Sequence, residues 1–268
     1  MSYIKQLVVV RRKAGLTKEE FFNYHYQRHG ALSGAAPNPA DIPTKYFQTH
    51  FIDAAFHADP SKVPNAHPDW AFSDDVTELY FDSPEHLKQA FTSEWAAQKV
   101  GPDGANFSDF SAVLPMTVKE TAVPLQHSST TETNMVENNA FVAMYFVAVR
   151  DKSATPEKFI DNFTTSLARH ASDEVQKLLV NTPTDVGFDV LAYFGGGSAM
   201  EFKLVFTITL RGKQSINAIR KAQADYEDVL AGMLDLPNTW IGFGERAVVL
   251  DQAENITFNA SRQPFKTL

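Results

Sequence analysis

The 268-residue sequence predicts an α+β fold with two βαββαβ repeats, whose antiparallel sheets form one intramolecular α/β barrel. The first observation is the order of elements, because strand-like and amphipathic helical runs follow the order β-α-β-β-α-β twice. The second is an internal repeat, in which the helix start "LTKEEF" at 16–21 recurs as "ATPEKF" at 154–159. The third is that strands of the second half are apolar on both faces, which is unsuitable for a sheet open to solvent.

The first repeat is placed at residues 1–120. Its first helix is predicted from about Thr17 to His29. Its second helix is predicted over 83–100, with Ser83 as a natural N-cap. This order of elements is the split βαβ arrangement of a ferredoxin-like domain. Its four strands are predicted at 4–12, 44–52, 76–82 and 111–120.

The second repeat is placed at residues 139–251, after a polar, turn-rich linker at 121–138 and before a C-terminal tail at 252–268. The glycine-rich "FGGGSAM" at 194–200 joins two predicted strands, so it is interpreted as a hairpin turn and not as a phosphate-binding loop. The strands are predicted at 139–151, 188–194, 201–210 and 240–250, and the helices at 154–170 and 213–234.

Composition excludes several classes of function. The formal net charge of −8, with no basic stripe, argues against nucleic acid as a partner. No apolar run is long enough to span a membrane, and the N-terminal apolar run does not have the pattern of a secretory signal. The absence of cysteine excludes disulfides, thiolate nucleophiles and zinc–thiolate or iron–sulfur sites. A soluble, cytoplasmic protein is therefore expected.

The strand "TKYFQTHFI" at 44–52 supplies most of the candidate site. A sheet with helices on one face must bury its other face, so two sheets in one chain can close a barrel around a cavity. If the phenylalanines of this strand pack beneath the helix, Tyr46, Gln48 and His50 point into the barrel. We expect His50 and Tyr46 to be catalytic and Gln48 to bind substrate. The alternative is an internal polar network that ties strands together.

The helix "EEFFNYHYQRHG" at 19–30 supplies two further histidines. Its phenylalanines are expected to pack in the core. His29 stands at the helix end, where it is predicted to reach the barrel rim as a general acid or base. The alternative is a C-terminal histidine favoured by the helix dipole. His25 is assigned to substrate binding, with a structural hydrogen bond to a neighbour as the alternative.

Two further residues are assigned to substrate binding. Trp70 lies in the long segment 53–75 and is predicted to act as a lid over the cavity. Arg11 is expected either to pair with Glu78 on a neighbouring strand or to bind an enolate or carboxylate. The histidines and aspartates of the segment 53–75 fit no known ligand spacing, so no metal is assigned.

The first half resembles the EthD family of the dimeric α/β-barrel superfamily. The similarity is carried by "YIKQLVVVRRKAGLTKEEFFNYHYQRHG" (3–30), "KYFQTHF" (45–51), "DDVTELYFDSPEHLKQAFTSEW" (74–95) and "PDGANFSDFSAVLPMTVKE" (102–120). His29 falls on a histidine of the family pattern. That pattern also carries an acidic residue after the position of Asp103, where this chain has Gly104. The resemblance implies a tandem version, either a monomer with an internal pseudo-dimer or a homodimer.

The resemblance also implies a function: a tailoring enzyme of secondary metabolism that needs no cofactor and acts on an aromatic or polyketide-like small molecule. Cyclisation, dehydration and decarboxylation all begin with acid–base chemistry beside a carbonyl. A monooxygenase without cofactor and a non-catalytic binding protein are alternatives. A haem-binding oxidoreductase is another, and it would need His170 as axial ligand where a helix-capping histidine is otherwise expected.

Overall fold

The computed structural model describes residues 3–125, 138–194 and 200–265. Eight antiparallel strands form one closed barrel in the order β1-β3-β2-β8-β5-β7-β6-β4. The strands are β1 (Ile4–Val10), β2 (Lys45–Phe56), β3 (Asp75–Phe81), β4 (Leu114–Val123), β5 (Phe141–Val147), β6 (Val175–Pro183), β7 (Leu204–Leu210) and β8 (Trp240–Asp251). The predicted fold class is confirmed, since each half contributes one four-stranded ferredoxin-like sheet.

The helices cover the outside of the barrel. The main α-helices are α1 (Lys18–Asn23), α2 (Pro84–Thr92), α3 (Pro156–His170) and α4 (Ile216–Val229). Two π-helical segments (Tyr24–Gly30 and Ala96–Val100) and three short α-helical turns (Ala31–Ser33, Gly101–Asp103 and Val190–Tyr193) complete the α-type elements. The 3₁₀ turns are Pro39–Asp41, Gly104–Asn106, Phe110–Ala112, Lys213–Ser215, Leu236–Asn238 and Ala260–Arg262. None of the helices in these described ranges is long and apolar enough to cross a membrane.

The two sheets join along two seams. β2 pairs with β8 from Lys45↔Asp251 to Phe56↔Trp240, with two register shifts. β4 pairs with β6 from Val118↔Pro183 to Val123↔Leu178. Each seam unites the two halves, so the barrel closes within one chain. This leaves no exposed sheet edge for a second chain to extend.

The barrel interior is packed with buried side chains of the described residues, where a cavity was expected. Its apolar part centres on Trp240, which stacks on Phe146 with ring centroids 4.2 Å apart. Its polar part is an ion cluster in which Glu78 forms ion pairs with Lys5 and Arg246, each at 2.6 Å. All three charged side chains are buried. Buried charges are tolerated only when they are paired in this way.

The prediction of a strand at 188–194 is wrong. The third element of the second repeat is β6 (Val175–Pro183), while Val190–Tyr193 is a helical turn that Asp189 caps by accepting from the amide of Ala192 at 2.9 Å. The apolar residues of "FDVLAYF" fit a helical spacing, and they pack against the first half, where Phe91 meets Tyr193 at 4.7 Å. Much of the predicted hairpin turn at 194–200 and of the linker at 121–138 lies outside the described residues.

Candidate active site

A cavity of about 330 Å³ lies between the outer face of the first sheet and the helices of the first half. Its walls are mostly apolar. Polar groups enter it from the π-helical segment, the sheet and the loops. Two aromatic residues from the second half, Tyr193 and Phe194, close one side. The other apolar lining residues include Val8, Val10, Leu79, Phe81, Ala90, Phe91, Val100, Phe107, Phe110 and Val113. The residues with polar groups are His25, His29, Ser33, Asp41, Tyr46, Thr77 and Ser108.

The first helix is positioned by its N-terminus and by its aromatic pair. Thr17 and Glu20 form a capping box, in which the Thr17 hydroxyl accepts from the Glu20 amide at 3.2 Å and the Glu20 carboxylate accepts from the Thr17 amide at 2.8 Å. Phe21 and Phe22 are fully buried, as predicted. Beyond α1 the chain widens into the π-helical segment Tyr24–Gly30. Such segments are rare and often occur at functional sites.

His29 forms a dyad with Asp103. Its Nδ1 lies 2.9 Å from Oδ2 of Asp103. The other carboxylate oxygen of Asp103 accepts from the Tyr24 hydroxyl at 2.8 Å and from the Asn106 amide at 3.0 Å. The hydrogen bond with His29, against some desolvation, lowers the pKa of Asp103 to about 2, so the carboxylate is ionised near neutral pH. With Nδ1 held, Nε2 is the ring nitrogen available to a molecule in the cavity.

The two faces of β2 point in the directions opposite to those predicted. Tyr46, Gln48 and His50 point outward to the helices, whereas Phe47 and Phe51 face the barrel interior. Both faces of this strand are buried, so the phenylalanines fit the barrel core as well as they would fit beneath a helix. The predicted position of His50 inside a barrel cavity is therefore wrong.

Only Tyr46 of the three polar β2 residues lines the cavity. Its hydroxyl oxygen accepts a hydrogen bond from Nε2 of Gln48 at 2.6 Å, and that amide nitrogen also donates to the carbonyl of His25 at 3.0 Å. Burial raises the pKa of Tyr46, so its O–H stays protonated and can donate into the cavity. Gln48 thus positions Tyr46 from behind the cavity wall.

Behind the wall lies a buried polar cluster formed by His25, His50 and Asp75. Nδ1 of His25 and Nε2 of His50 lie 3.5 Å from Oδ1 and Oδ2 of Asp75, respectively. His50 stacks on Phe22, with ring centroids 4.3 Å apart, and its Nε2 lies 3.0 Å from Oε1 of Gln48. Burial lowers the pKa of His50 to about 3 and that of His25 well below its usual value. Burial also raises the pKa of Asp75.

Trp70 and Arg11 lie outside the cavity lining. Trp70 is nearly buried and packs on Phe56 at 5.8 Å, at the end of the barrel core. Arg11 pairs with Asp109 at 2.7 Å and donates to two backbone carbonyls. The expectation that Arg11 pairs with Glu78 is wrong. The register Leu7↔Glu78 places Glu78 opposite the middle of β1, and its side chain lies inside the barrel. The roles of Trp70 as lid and Arg11 as anion binder lose their geometric basis.

His170 ends α3 and lies 3.7 Å from Asp225 on the surface between α3 and α4. The space between these helices and the second sheet is filled by aromatic and aliphatic side chains. An axial haem ligand must face a pocket that admits the macrocycle. The surroundings of His170 do not fit a haem.

Sequence reasoning missed two carboxylates and one wall of the cavity. Asp103 lies in the "PDGAN" stretch, one position before the glycine that departs from the family pattern, and that departure concealed its role. Asp75 follows another aspartate at the start of a strand, where a solvent-facing position is the usual expectation. Phe194 was missed because its segment was assigned to a strand of the second sheet. The two adjacent aspartates at the start of β3 were the one available signal.

Comparison with known proteins agrees with this fold. Residues 13–111 match the family model described as the EthD domain, so the first half of this chain contains an EthD domain. No curated protein matches the sequence. A solved structure described as an anthrone oxidase-like protein is 8% identical, with 93% of this chain and 94% of that chain covered at a TM-score of 0.58. At that identity the likeness concerns the fold.

Two other solved structures align over similar lengths. A candidate monooxygenase from Lactobacillus acidophilus NCFM is 11% identical, covering 92% of this chain and 94% of that one at a TM-score of 0.44. A chlorite dismutase from Candidatus Nitrospira defluvii, in complex with imidazole, is 7% identical, covering 90% of each chain at a TM-score of 0.42.

Proposed function

We propose that this protein is an enzyme that removes a proton next to the carbonyl of a compact aromatic or polyketide-like ketone. The observation that carries the proposal is the His29–Asp103 dyad at an apolar, aromatic-lined cavity. A cavity of about 330 Å³ lies at the lower end of the size range of small-molecule sites. Its walls would bind an aromatic ring system by burial of apolar surface.

The dyad supplies the base. Asp103 holds Nδ1 of His29, which fixes the ring and stabilises the imidazolium that forms when Nε2 accepts a proton. Asp103 is itself fixed by Tyr24 and Asn106. The proton therefore passes from the substrate carbon to Nε2 of His29. The electron pair of the broken C–H bond forms the C=C bond of the enolate, and the π pair of the carbonyl moves onto its oxygen.

Tyr46 supplies the donor for the developing enolate. Because its oxygen accepts from Gln48, its O–H points away from Gln48, toward Thr77 and the cavity that both residues line. A donor placed in a site with little water stabilises developing negative charge more strongly than the same donor in solution. Cyclisation, dehydration and decarboxylation can each follow from the enolate. Transfer of electrons from the enolate to dioxygen is the alternative, and it would make the enzyme an oxygenase.

The test is hydrogen–deuterium exchange, followed by NMR, at the acidic methylene of aromatic ketones such as anthrone. Exchange reports proton removal regardless of what the enolate does next. We expect the wild-type protein to accelerate exchange and His29→Gln to lower the acceleration by about 100-fold or more. His170→Gln, which changes a histidine at the end of a helix in the other half, is the matched control and should keep the wild-type rate.

A binding measurement separates catalysis from storage. A ketone that binds the wild-type protein in the micromolar range but exchanges no faster than in buffer would contradict the proposal and favour a non-catalytic binding protein. An oxygen electrode then separates the two fates of the enolate, since only the oxygenase consumes dioxygen in proportion to the substrate lost.

A further inference from the structure

The buried cluster behind the cavity has the composition of a metal site. His25, His50 and Asp75 offer one donor atom each, and these atoms all lie within 4.8 Å of one another. The three residues come from three elements: the π-helical segment, β2 and β3. His50 and Asp75 are cross-strand partners in the β2–β3 ladder, so the backbone register fixes them side by side. Their side chains are at most 2% exposed.

Donor atoms in this cluster have no hydrogen-bond partner among the described residues. They are Nδ1 of His25, Nδ1 of His50 and Oδ2 of Asp75, whereas Nε2 of His50 lies within hydrogen-bond distance of Gln48. An unpaired polar atom in a buried position destabilises the fold. The separations of 3.5 Å between the ring nitrogens and the carboxylate oxygens are too long for good hydrogen bonds. Two ligands of one tetrahedral ion with bonds near 2.1 Å lie about 3.4 Å apart. Each imidazole nitrogen therefore lies at about the ligand–ligand spacing from one of the two carboxylate oxygens of Asp75.

The surroundings also suit metal binding. Nε2 of His25 lies 3.3 Å from the hydroxyl of Thr77, and when Nε2 donates that hydrogen bond, Nδ1 keeps its lone pair. Metal-binding histidines are commonly oriented by such an outer hydrogen bond. The amide oxygen of Gln48 lies 3.0 Å from Nε2 of His50, near enough to serve as a fourth ligand.

We propose that His25, His50 and Asp75 bind one divalent transition-metal ion of the zinc or iron(II) type. Two imidazoles and one carboxylate are a ligand set found for such ions. His25 and Thr77 line the cavity, whereas His50 and Asp75 lie behind it, so the ion sits in the cavity wall and is reached from the cavity. This site extends the function proposed above and does not depend on it, because the His29–Asp103 dyad contributes no ligand. It also departs from the sequence-based assignment of no metal.

The test is titration of the chelator-treated full-length protein with Co²⁺, followed by visible absorbance, and then with Zn²⁺ in competition. We expect saturation at one ion per chain and displacement of Co²⁺ by one equivalent of Zn²⁺. Asp75→Asn and His25→Gln should each weaken binding by about 100-fold or more. His57→Gln, which alters a histidine beside Glu227 outside the cluster, should bind as the wild type does.

Thermal unfolding gives a second test of the metal site. Zn²⁺ should raise the midpoint of thermal unfolding of the wild type, because a ligand of the folded state stabilises it, and should not raise that of Asp75→Asn. If Asp75→Asn does not fold, His25→Gln at the cavity wall takes its place. A wild-type protein that shows no saturable binding at millimolar Co²⁺ overturns the proposal. Retention of the ion at wild-type affinity by both ligand variants also overturns it.

His29→Gln separates this proposal from the proposed function. That variant should lose proton exchange and keep its metal, because His29 is not one of the ligands. Loss of the ion in His29→Gln would mean that the dyad supplies a ligand, and the assignment of the three residues would be wrong.

Discussion

The two halves of the barrel have the same order of elements but use the space between helices and sheet differently. In the second half that space is filled: Phe163 packs on Phe206 at 4.4 Å and on Tyr226 at 5.2 Å. In the first half the corresponding space holds the cavity, the His29–Asp103 dyad and the buried cluster. On the function proposed above, the second half is the scaffold and the first half carries the chemistry.

In each half, we call the side chains between the helices and the sheet a layer. Truncating one aromatic residue in each layer gives the largest expected difference in stability loss. Phe163→Ala should lower the free energy of unfolding by about 3–5 kcal/mol, because it leaves a void in a filled layer. Phe91→Ala should cost less, since Phe91 already borders the cavity and loses fewer neighbours. Urea denaturation of the two variants measures both values. Equal losses would mean that the first layer is as tightly packed as the second.

The ion cluster of the barrel interior should show a loss of similar size. Glu78→Gln should lower the free energy of unfolding by about 3–5 kcal/mol, because it removes the charge of the buried carboxylate that Lys5 and Arg246 share. The matched control is Glu120→Gln, which removes a partly exposed carboxylate from Lys5 and should cost less.

The same carboxylate predicts a pH dependence. Although desolvation raises the pKa of Glu78, Arg246 and Lys5 outweigh it and bring the pKa to about 2, below the ordinary 4.5. A lowered folded-state pKa contributes stability that is complete above the unfolded value and lost as pH falls. We expect the free energy of unfolding to decline between about pH 4.5 and 2, and this part of the decline to be absent in Glu78→Gln. An unchanged slope would show that other carboxylates cause the acid sensitivity.

Enlarging one alanine in each layer tests packing from the opposite direction. Ala222→Leu should lower the free energy of unfolding by about 1–3 kcal/mol, because the second layer has no room for it. Ala90→Leu should change stability little, because Ala90 lines the cavity, and should weaken the binding of an aromatic ketone. Undiminished ketone affinity in Ala90→Leu would place the ligand elsewhere.

The smallest effect is expected from substitution of Asp103, the carboxylate of the dyad. Asp103→Asn keeps the shape but loses the charged hydrogen bond, so ketone exchange should fall by about 10-fold to 100-fold, less than in His29→Gln. Because Asp103 acts through His29, the pH profile of exchange should shift while the ketone affinity stays the same. Tyr24→Phe, which removes one hydrogen bond from Asp103, should have a still smaller effect. A change in affinity without a change in rate would indicate a binding role for Asp103.

Much of the fold followed from pattern. The strands β1 to β5, β7 and β8 lie at or near the predicted runs, and α3 ends at His170 as predicted. The main failure was β6, because "VQKLLVNTP" alternates weakly and "FDVLAYF" is more apolar. A short apolar run fits a buried helical turn as well as a strand, and only its packing on Phe91 decides between them.

The candidate site was predicted only in part. His29 was predicted at the rim of a cavity inside the barrel but lines the cavity between the sheet and the helices, and Tyr46 lines the same cavity because its strand faces the other way. Asp103 and Asp75 were not predicted, since each lies more than twenty residues from the histidine it approaches. No local pattern records such contacts.

The sequence by itself determined the two repeats, the antiparallel sheets and the helix that carries His25 and His29. These depend on periodicity and capping, which are local properties. The tertiary structure alone decided which face of β2 meets the helices, because both faces are apolar enough to be buried and alternation is unchanged when a strand is turned over. It also decided that the first half keeps a cavity while the second is filled, because packing depends on how distant side chains fit together.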